Sequence, residues 1–310
     1  LEAKAAYLRF SGITAEDAFG WRVVDYAGSA ALSDSTGTLS PTTTPAFTAG
    51  TMMATLTITR AQQDVVITAQ DGAASGQSQP FNVLHAPLDH FTFDPLGQQV
   101  AGVPFTVTIT AVDAFGNPIP DYTGPNVLAD STGTLAPTLT PTFSDGMVQV
   151  TATITDAQTE VVITTWNQAT GALPPLGESN AFDVVAGPLD TITIAPRPIL
   201  TQTAGQPFTI TLTVMDAYGN VLSDFNGTVT LSDTTGTITP TEVTCTNGIC
   251  EVAVTITQAD EAVEIIVLES DVEQGRSDTF PVTSGPVAGF TFSPILTQTV
   301  GVSFTITIRA

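Results

Sequence analysis

AGVPFTVTITAVDAFGNPIPDYTG, residues 101–124, decides the fold. From Phe105 it alternates: Phe105, Val107, Ile109 and Ala111 are interleaved with Thr106, Thr108 and Thr110. A period of two puts the apolar set on one face of a strand and the threonines on the other. The run stops at Asp113-Ala114-Phe115-Gly116-Asn117-Pro118. This reads as a turn, with Gly116 and Asn117 as the residues able to take positive φ.

The same turn returns twice. Asp113, Gly116, Asp121, Gly124, Asp130, Gly133 and Pro137 recur 96 residues earlier as Asp17, Gly20, Asp25, Gly28, Asp34, Gly37 and Pro41. They recur 103 residues later as Asp216, Gly219, Asp224, Gly227, Asp233, Gly236 and Pro240. A period near one hundred residues is one small domain, so the chain is a tandem array. Within the middle repeat, strands are expected at Phe91 to Phe93, Pro104 to Val112, Val148 to Ile154, Val161 to Trp166 and Ala181 to Val185, and around Val127 and Leu135. Glycine and proline punctuate them at the spacing of an antiparallel sandwich of about seven strands. The expected domains are 1–86, 87–186 and 187–284, followed at 285–310 by the first two strands of a further unit. Short proline-containing linkers at Pro87, Pro188 and Pro286 should be stiff.

The pattern DAFGNP, DYTG, LADSTGTLAP, FSDG and VTATIT resembles the tandem bacterial Ig-like domains of surface proteins, the invasin and intimin type among them. The resemblance implies an all-β array of Ig-like sandwiches arranged as a rod. Members of such families serve as adhesin stalks, surface-layer parts and enzyme appendages, so the fold does not fix the function.

Composition narrows the classes. Thirty acidic residues stand against seven basic ones, a net charge of -23, and Lys4 is the one lysine. Such a surface repels nucleic acid and anionic membrane faces. Polarity comes mainly from 54 threonines, and no apolar run reaches membrane-spanning length. The expectation is an extracellular or cell-surface protein, either a mature form or an internal fragment, with no membrane insertion.

Cys245-Thr246-Asn247-Gly248-Ile249-Cys250 is a sharp local signal. Asn-Gly between alternating runs marks a two-residue hairpin. Thr246 and Ile249 then form the hydrogen-bonded pair, and Cys245 and Cys250 fall on the adjacent close pair, where a disulfide fits. The equivalent residues are Phe47 and Met52, and Phe143 and Val148. A covalent pair here replaces an apolar one and implies an oxidising compartment.

Other chemistry is sparse. Asp17, Asp113 and Asp216 are candidate calcium ligands, although local turn bonding is the stronger reading. No other cofactor is expected. His85 and His90 flank the first linker, where linker surface is a better reading than a shared metal. Asn226-Gly227-Thr228 is an N-glycosylation sequon. No arrangement of nucleophile and base stands out, so an enzyme is not expected.

The two ends of the array complement each other. Residues 286–310 reproduce the start of a repeat, with Phe290, Phe292, Phe304, Ile306 and Ile308 in apolar phase. The first repeat lacks its opening strand. At its second strand the inward positions become Arg9, Ser11, Ile13 and Ala15, while Leu8 and Phe10 fall on the wrong face unless a bulge shifts the register. Residues 1–15 therefore read as an atypical leader, with Leu1 to Phe10 as helix or irregular chain. Head-to-tail assembly, in which 286–310 of one subunit complete the first domain of the next, competes with a fragment of a longer stalk. The functional expectation is a surface fibre or filament subunit whose main partner is itself. The alternatives are the stalk of a larger adhesin or surface-layer protein, or an accessory module of a secreted glycan-active enzyme. A glycan or host-surface ligand remains unspecified. Thiol titration of the denatured, unreduced protein should find no free cysteine, and two free thiols would overturn the hairpin reading.

Overall fold

The computed structural model describes residues 7–9, 12–167 and 177–309. Every regular element among them is a β-strand. The chain forms two compact units. The first comprises Leu1–Gln99, Pro104–Ile154 and Thr159–Asp183, and the second Val100–Val103, Thr155–Gln158 and Val184–Ala310.

The second unit contains the third repeat, whose strands form a sandwich. Phe208–Met215 lies between Thr191–Ala195 and Ile249–Val254, antiparallel to both. Opposite them, Thr228–Asp233 lies between Glu242–Thr244 and Ile265–Glu269, and the latter also pairs with Val272–Arg276. Gln202–Thr203 runs parallel to Phe280–Thr283, which pairs in turn with Asp260–Val263. Alternation decides what is inside: Ile210, Leu212 and Val214 are 0% exposed. They join Leu231, Val267 and Phe280 from the facing strands in one core. Each such fully buried side chain contributes roughly 1.5–3 kcal/mol.

The hairpin at Asn247-Gly248 takes positive φ at both residues, 52° and 74°. Thr246 and Ile249 exchange backbone hydrogen bonds of 2.9 and 3.1 Å. Cys245 and Cys250 are joined by a disulfide, Cα to Cα 4.2 Å, and both belong to the core.

In the first unit, the middle repeat sets Phe105–Asp113 between Leu88–Phe93 and Met147–Ala152. Asn126–Asp130 pairs with Ile163–Asn167, which pairs with Gly177–Glu178. Leu135 differs from expectation. It lies outside any strand, beside an isolated bridge from Ala136 to Thr153, though it is buried. One inward residue among turn formers gives an apolar anchor without a ladder.

The first repeat corrects the leader reading. Tyr7–Arg9 is a strand, paired with Thr55–Thr57, and Ile13–Thr14 pairs with Thr51–Met52. The registers of these two pairs differ by one residue, with Leu8 opposite Leu56 and Ile13 opposite Met52. The register shift set out as the exception is therefore present, and it brings Leu8 rather than Arg9 opposite Leu56. Residues 1–6, 10 and 11 of the expected leader lie outside the described residues.

Among the described residues, no strand occupies the place of the first strand in this repeat. In the middle repeat, a Cβ on Gly177 would lie 2.5 Å from the Phe91 carbonyl oxygen. In the third, a Cβ on Gly275 would lie 2.0 Å from that of Ile192. Those glycines let the first strand cross close to the facing sheet. At the corresponding Gly76 nothing lies within 4 Å among the described residues. Beside it runs a groove of about 540 Å³, lined by Ile13, Tyr26, Phe47, Leu56, Ala69 and Gly76 among others.

At the other end, Thr291–Phe292 pairs with Ile308–Arg309, setting Phe292 opposite Ile308. This register matches Ile194 opposite Leu212 in the third repeat. There both residues are buried, whereas Phe292 and Ile308 are 58% and 50% exposed.

Alanine at Gly275 or Gly177 should destabilise its repeat by about 1–3 kcal/mol through overpacking. Gly76→Ala should change stability by less than about 0.5 kcal/mol, as at an open surface. Denaturant unfolding of the three variants checks this, and a Gly76→Ala cost equal to the others would show the slot to be filled.

Candidate functional site

The recurring Asp-Ala-aromatic-Gly turn is the most elaborated polar structure in the chain. Each turn follows a strand whose alternation ends at Asp113 or Met215, and Gly116 or Gly219 supplies the positive φ, 81° or 86°. Asp113 Oδ1 accepts from the Phe115 and Asn117 amides, both at 2.9 Å. Its Oδ2 accepts from the Ala86 amide at the linker, 2.8 Å. The Asn117 side chain donates to both oxygens, at 3.1 and 3.0 Å. Asp216 repeats the pattern with Tyr218, Asn220 and Gly187.

Asn117 and Asn220 then reach further. Asn117 Nδ2 donates to the Thr59 carbonyl at 2.8 Å, and its Oδ1 accepts from the Ala61 amide at 2.9 Å. Within the second unit, Asn220 donates to Thr155 O at 2.8 Å and accepts from Ala157 N at 2.9 Å. Tyr218 lies on the same segment set: a Cβ on Gly102 would sit 2.1 Å from its ring. Sequence reasoning assigned Asn117 to positive φ, yet Asn117 is not among the residues that adopt it. Its carboxamide is what the turn uses. The available signal was that Asn recurs at 117 and 220 while the first repeat has Trp21.

That first turn is built alike locally and lacks the rest. Asp17 Oδ1 accepts from Phe19 N and Trp21 N, both at 2.9 Å. Asp17 is exposed where Asp113 and Asp216 are 0% and 2% exposed. Phe19 and Trp21 stand out from this turn at 86% and 74% exposure, as its aromatic surface.

Each of the three calcium candidates accepts turn amides through Oδ1, and among the described residues no three His, Cys, Asp or Glu side chains gather as a metal site. Asp130 likewise accepts from the Thr132 and Leu135 amides, and Asp121 faces His85 at 3.0 Å. His90 instead meets Asp89 at 2.9 Å, so the two histidines have separate partners. The exposed Asn226 donates to Asp224 O and accepts from Asn247 N, 3.1 Å each. Among the described residues no helix is long and apolar enough to cross a membrane.

No family model matches the chain, and no curated protein matches it. Among solved structures it is similar to FdeC, an Escherichia coli adhesin, with 19% identity over 91% of this chain and 93% of that one, TM-score 0.39. The D0-D1 domain of intimin shows 21% identity over 63% of this chain and 98% of its own, TM-score 0.25. Domains 4-9 of the surface-layer protein SbsC show 15% identity over 90% of this chain and 43% of theirs, TM-score 0.25.

Burial opposes ionisation of Asp113 and Asp216 most strongly of any single influence, but the Asn side chain and three amides together hold both carboxyls below the usual range. A carboxyl depressed in the native state stabilises fully above its unfolded pKa, about 3.9, and loses that contribution as pH falls through the native value. The melting temperature should therefore drop below about pH 4. Asp216→Asn sets a second donor against Gly187 N and Asn220 Nδ2, so it should cost about 1–3 kcal/mol at neutral pH and flatten part of the acid limb. An unchanged acid limb in that variant would remove Asp216 from the account.

Proposed function

We propose that this chain is a structural, non-catalytic module of an extracellular surface fibre, made of bacterial Ig-like repeats of the invasin and intimin type and joined head to tail by a lent strand. The pair of complementary edges carries the reading. In the first repeat no described residue fills the first-strand place over Gly76, and an apolar groove runs beside it. Residues Phe290 and Phe292 stand at the positions of Ile192 and Ile194 and are 66% and 58% exposed. A strand of that pattern, laid into the groove, covers the half-buried Ile13, Tyr26 and Ala69 and removes two sticky edges at once. Because the contact is heterologous, repetition gives a filament.

Only Phe290 to Phe292 is required. Tyr7–Arg9 and Ile13–Thr14 already occupy the second-strand place, so Phe304, Ile306 and Ile308 have no room in the groove and stay as backing for the lent strand. That occupancy favours a second reading, in which the array is the stalk of a larger adhesin or surface-layer protein and the slot is filled from its own polypeptide. The disulfide and the acidic surface support an oxidising, extracellular setting for both.

Light scattering and electron microscopy at rising concentration separate the readings. The full chain should form linear oligomers, and deletion of 286–310 should abolish them while the third repeat keeps its unfolding transition. Phe290→Asp should act like the deletion. Filaments that persist after deletion, or a full chain that stays monomeric, would sink strand lending, the latter in favour of the stalk.

A further inference from the structure

The turn that closes each joint grips a surface that is present once more, with no partner among the described residues. In the second unit the gripped surface has two parts. Gly102, at φ 76°, receives the Tyr218 ring. The loop Thr155 to Ala157 offers one carbonyl and one amide to Asn220. The third repeat carries both parts at its own far end. Gly205 has the same backbone conformation, φ 81°, and a Cβ there would meet nothing within 4 Å. Thr257 to Ala259 corresponds to Thr155 to Ala157 and to Thr59 to Ala61 in the repeat alignment.

The empty loop is already in its receiving shape. Thr59 N and Arg60 N donate to Thr38 Oγ1 at 3.1 and 3.2 Å in the gripped first repeat. Thr257 N and Gln258 N donate to Thr237 Oγ1 at 3.1 and 3.2 Å in the ungripped third. What changes is exposure: Thr59, Ala61, Thr155 and Ala157 are half-buried, whereas Thr257 and Ala259 are exposed.

We propose that Gly205, Thr257 and Ala259 form a docking site for the Asp-Ala-aromatic-Gly-Asn turn of a further repeat, with the Asn carboxamide as the recognised group. An acceptor and a donor two residues apart call for a ligand with one of each. A primary carboxamide has both, a carboxylate has no donor, and an indole has no acceptor. The turn of the first repeat, which carries Trp21, is therefore not the occupant; the site rests on the stalk reading, in which a further Asn-bearing repeat stands where strand lending would put the first repeat of another subunit. The aromatic ring before Gly covers Gly205 as Tyr218 covers Gly102.

Amide hydrogen exchange on the full chain tests this residue by residue. In the unaltered protein Ala61 and Ala157 amides should be protected and the Ala259 amide should exchange fast. Asn117→Ala should release Ala61 alone and Asn220→Ala should release Ala157 alone, each by roughly tenfold. Appending a copy of residues 112–185 after Ala310 supplies a complete further repeat with its own Asn. Ala259 should then become protected to the level of Ala157, and the same graft with its Asn changed to Ala should fail to protect it. A graft that folds and leaves Ala259 fast overturns the site. So does an Ala259 amide already as slow as Ala157 without any graft, or protection at Ala61 and Ala157 that survives both substitutions.

Discussion

A carboxylate buried at the end of a strand is the constraint on which the joints depend. Asp113 and Asp216 are almost wholly removed from water, which would be prohibitive for a bare charge. Each is repaid by turn amides, an Asn side chain and one amide from the linker. The carboxylate therefore couples three otherwise separate things: the end of its own strand, the chain entering the repeat, and the Asn that reaches the preceding loop. Asp17 shows that the local turn forms with only two amides and with the carboxylate exposed. Burial comes with the joint, and the joint is possible because the charge is already satisfied.

One hairpin position is solved in two ways. Phe47 and Met52, Phe143 and Val148, and Cys245 and Cys250 all occupy the close pair flanking a two-residue turn, and none is more than 6% exposed. In the first two, apolar area holds the strands together. In the third a covalent bond replaces that area, contributing about 2 kcal/mol for so short a loop in the chain-entropy account. The surrounding core does not change character, because Cys is itself a small apolar residue when oxidised or buried.

The strands of the second and third repeats were legible because alternation and burial coincide: Val107, Ile109 and Ala111 face in, and the intervening threonines face out. Leu135 misled because a single inward residue can anchor a loop as well as a strand. Tyr7–Arg9 misled because strict repeat register placed Arg9 inward, and a one-residue shift resolves what the alignment alone shows as a defect. The open slot was half legible. The repeat alignment marks where the first strand belongs, but the close glycine contacts that define its path belong to tertiary packing. Asn117 was seen as a turn former because its partners, Thr59 and Ala61, lie more than fifty residues away and contribute only backbone.

That last point explains the sequence freedom of the receiving loops. They read Thr59-Arg60-Ala61, Thr155-Asp156-Ala157 and Thr257-Gln258-Ala259, so the central residue is cationic, anionic and neutral in turn. Each central side chain is exposed. Recognition through a carbonyl and an amide leaves that residue free to vary and makes the joint indifferent to its charge, which matters in a chain of net charge -23. The selective half of the joint is the turn, where one carboxamide must match both backbone groups. Order along such an array is then written almost wholly in the residue after Gly. Asn117 and Asn220 bind backward to the repeat before them, whereas the first turn carries the exposed Trp21 and lacks that carboxamide.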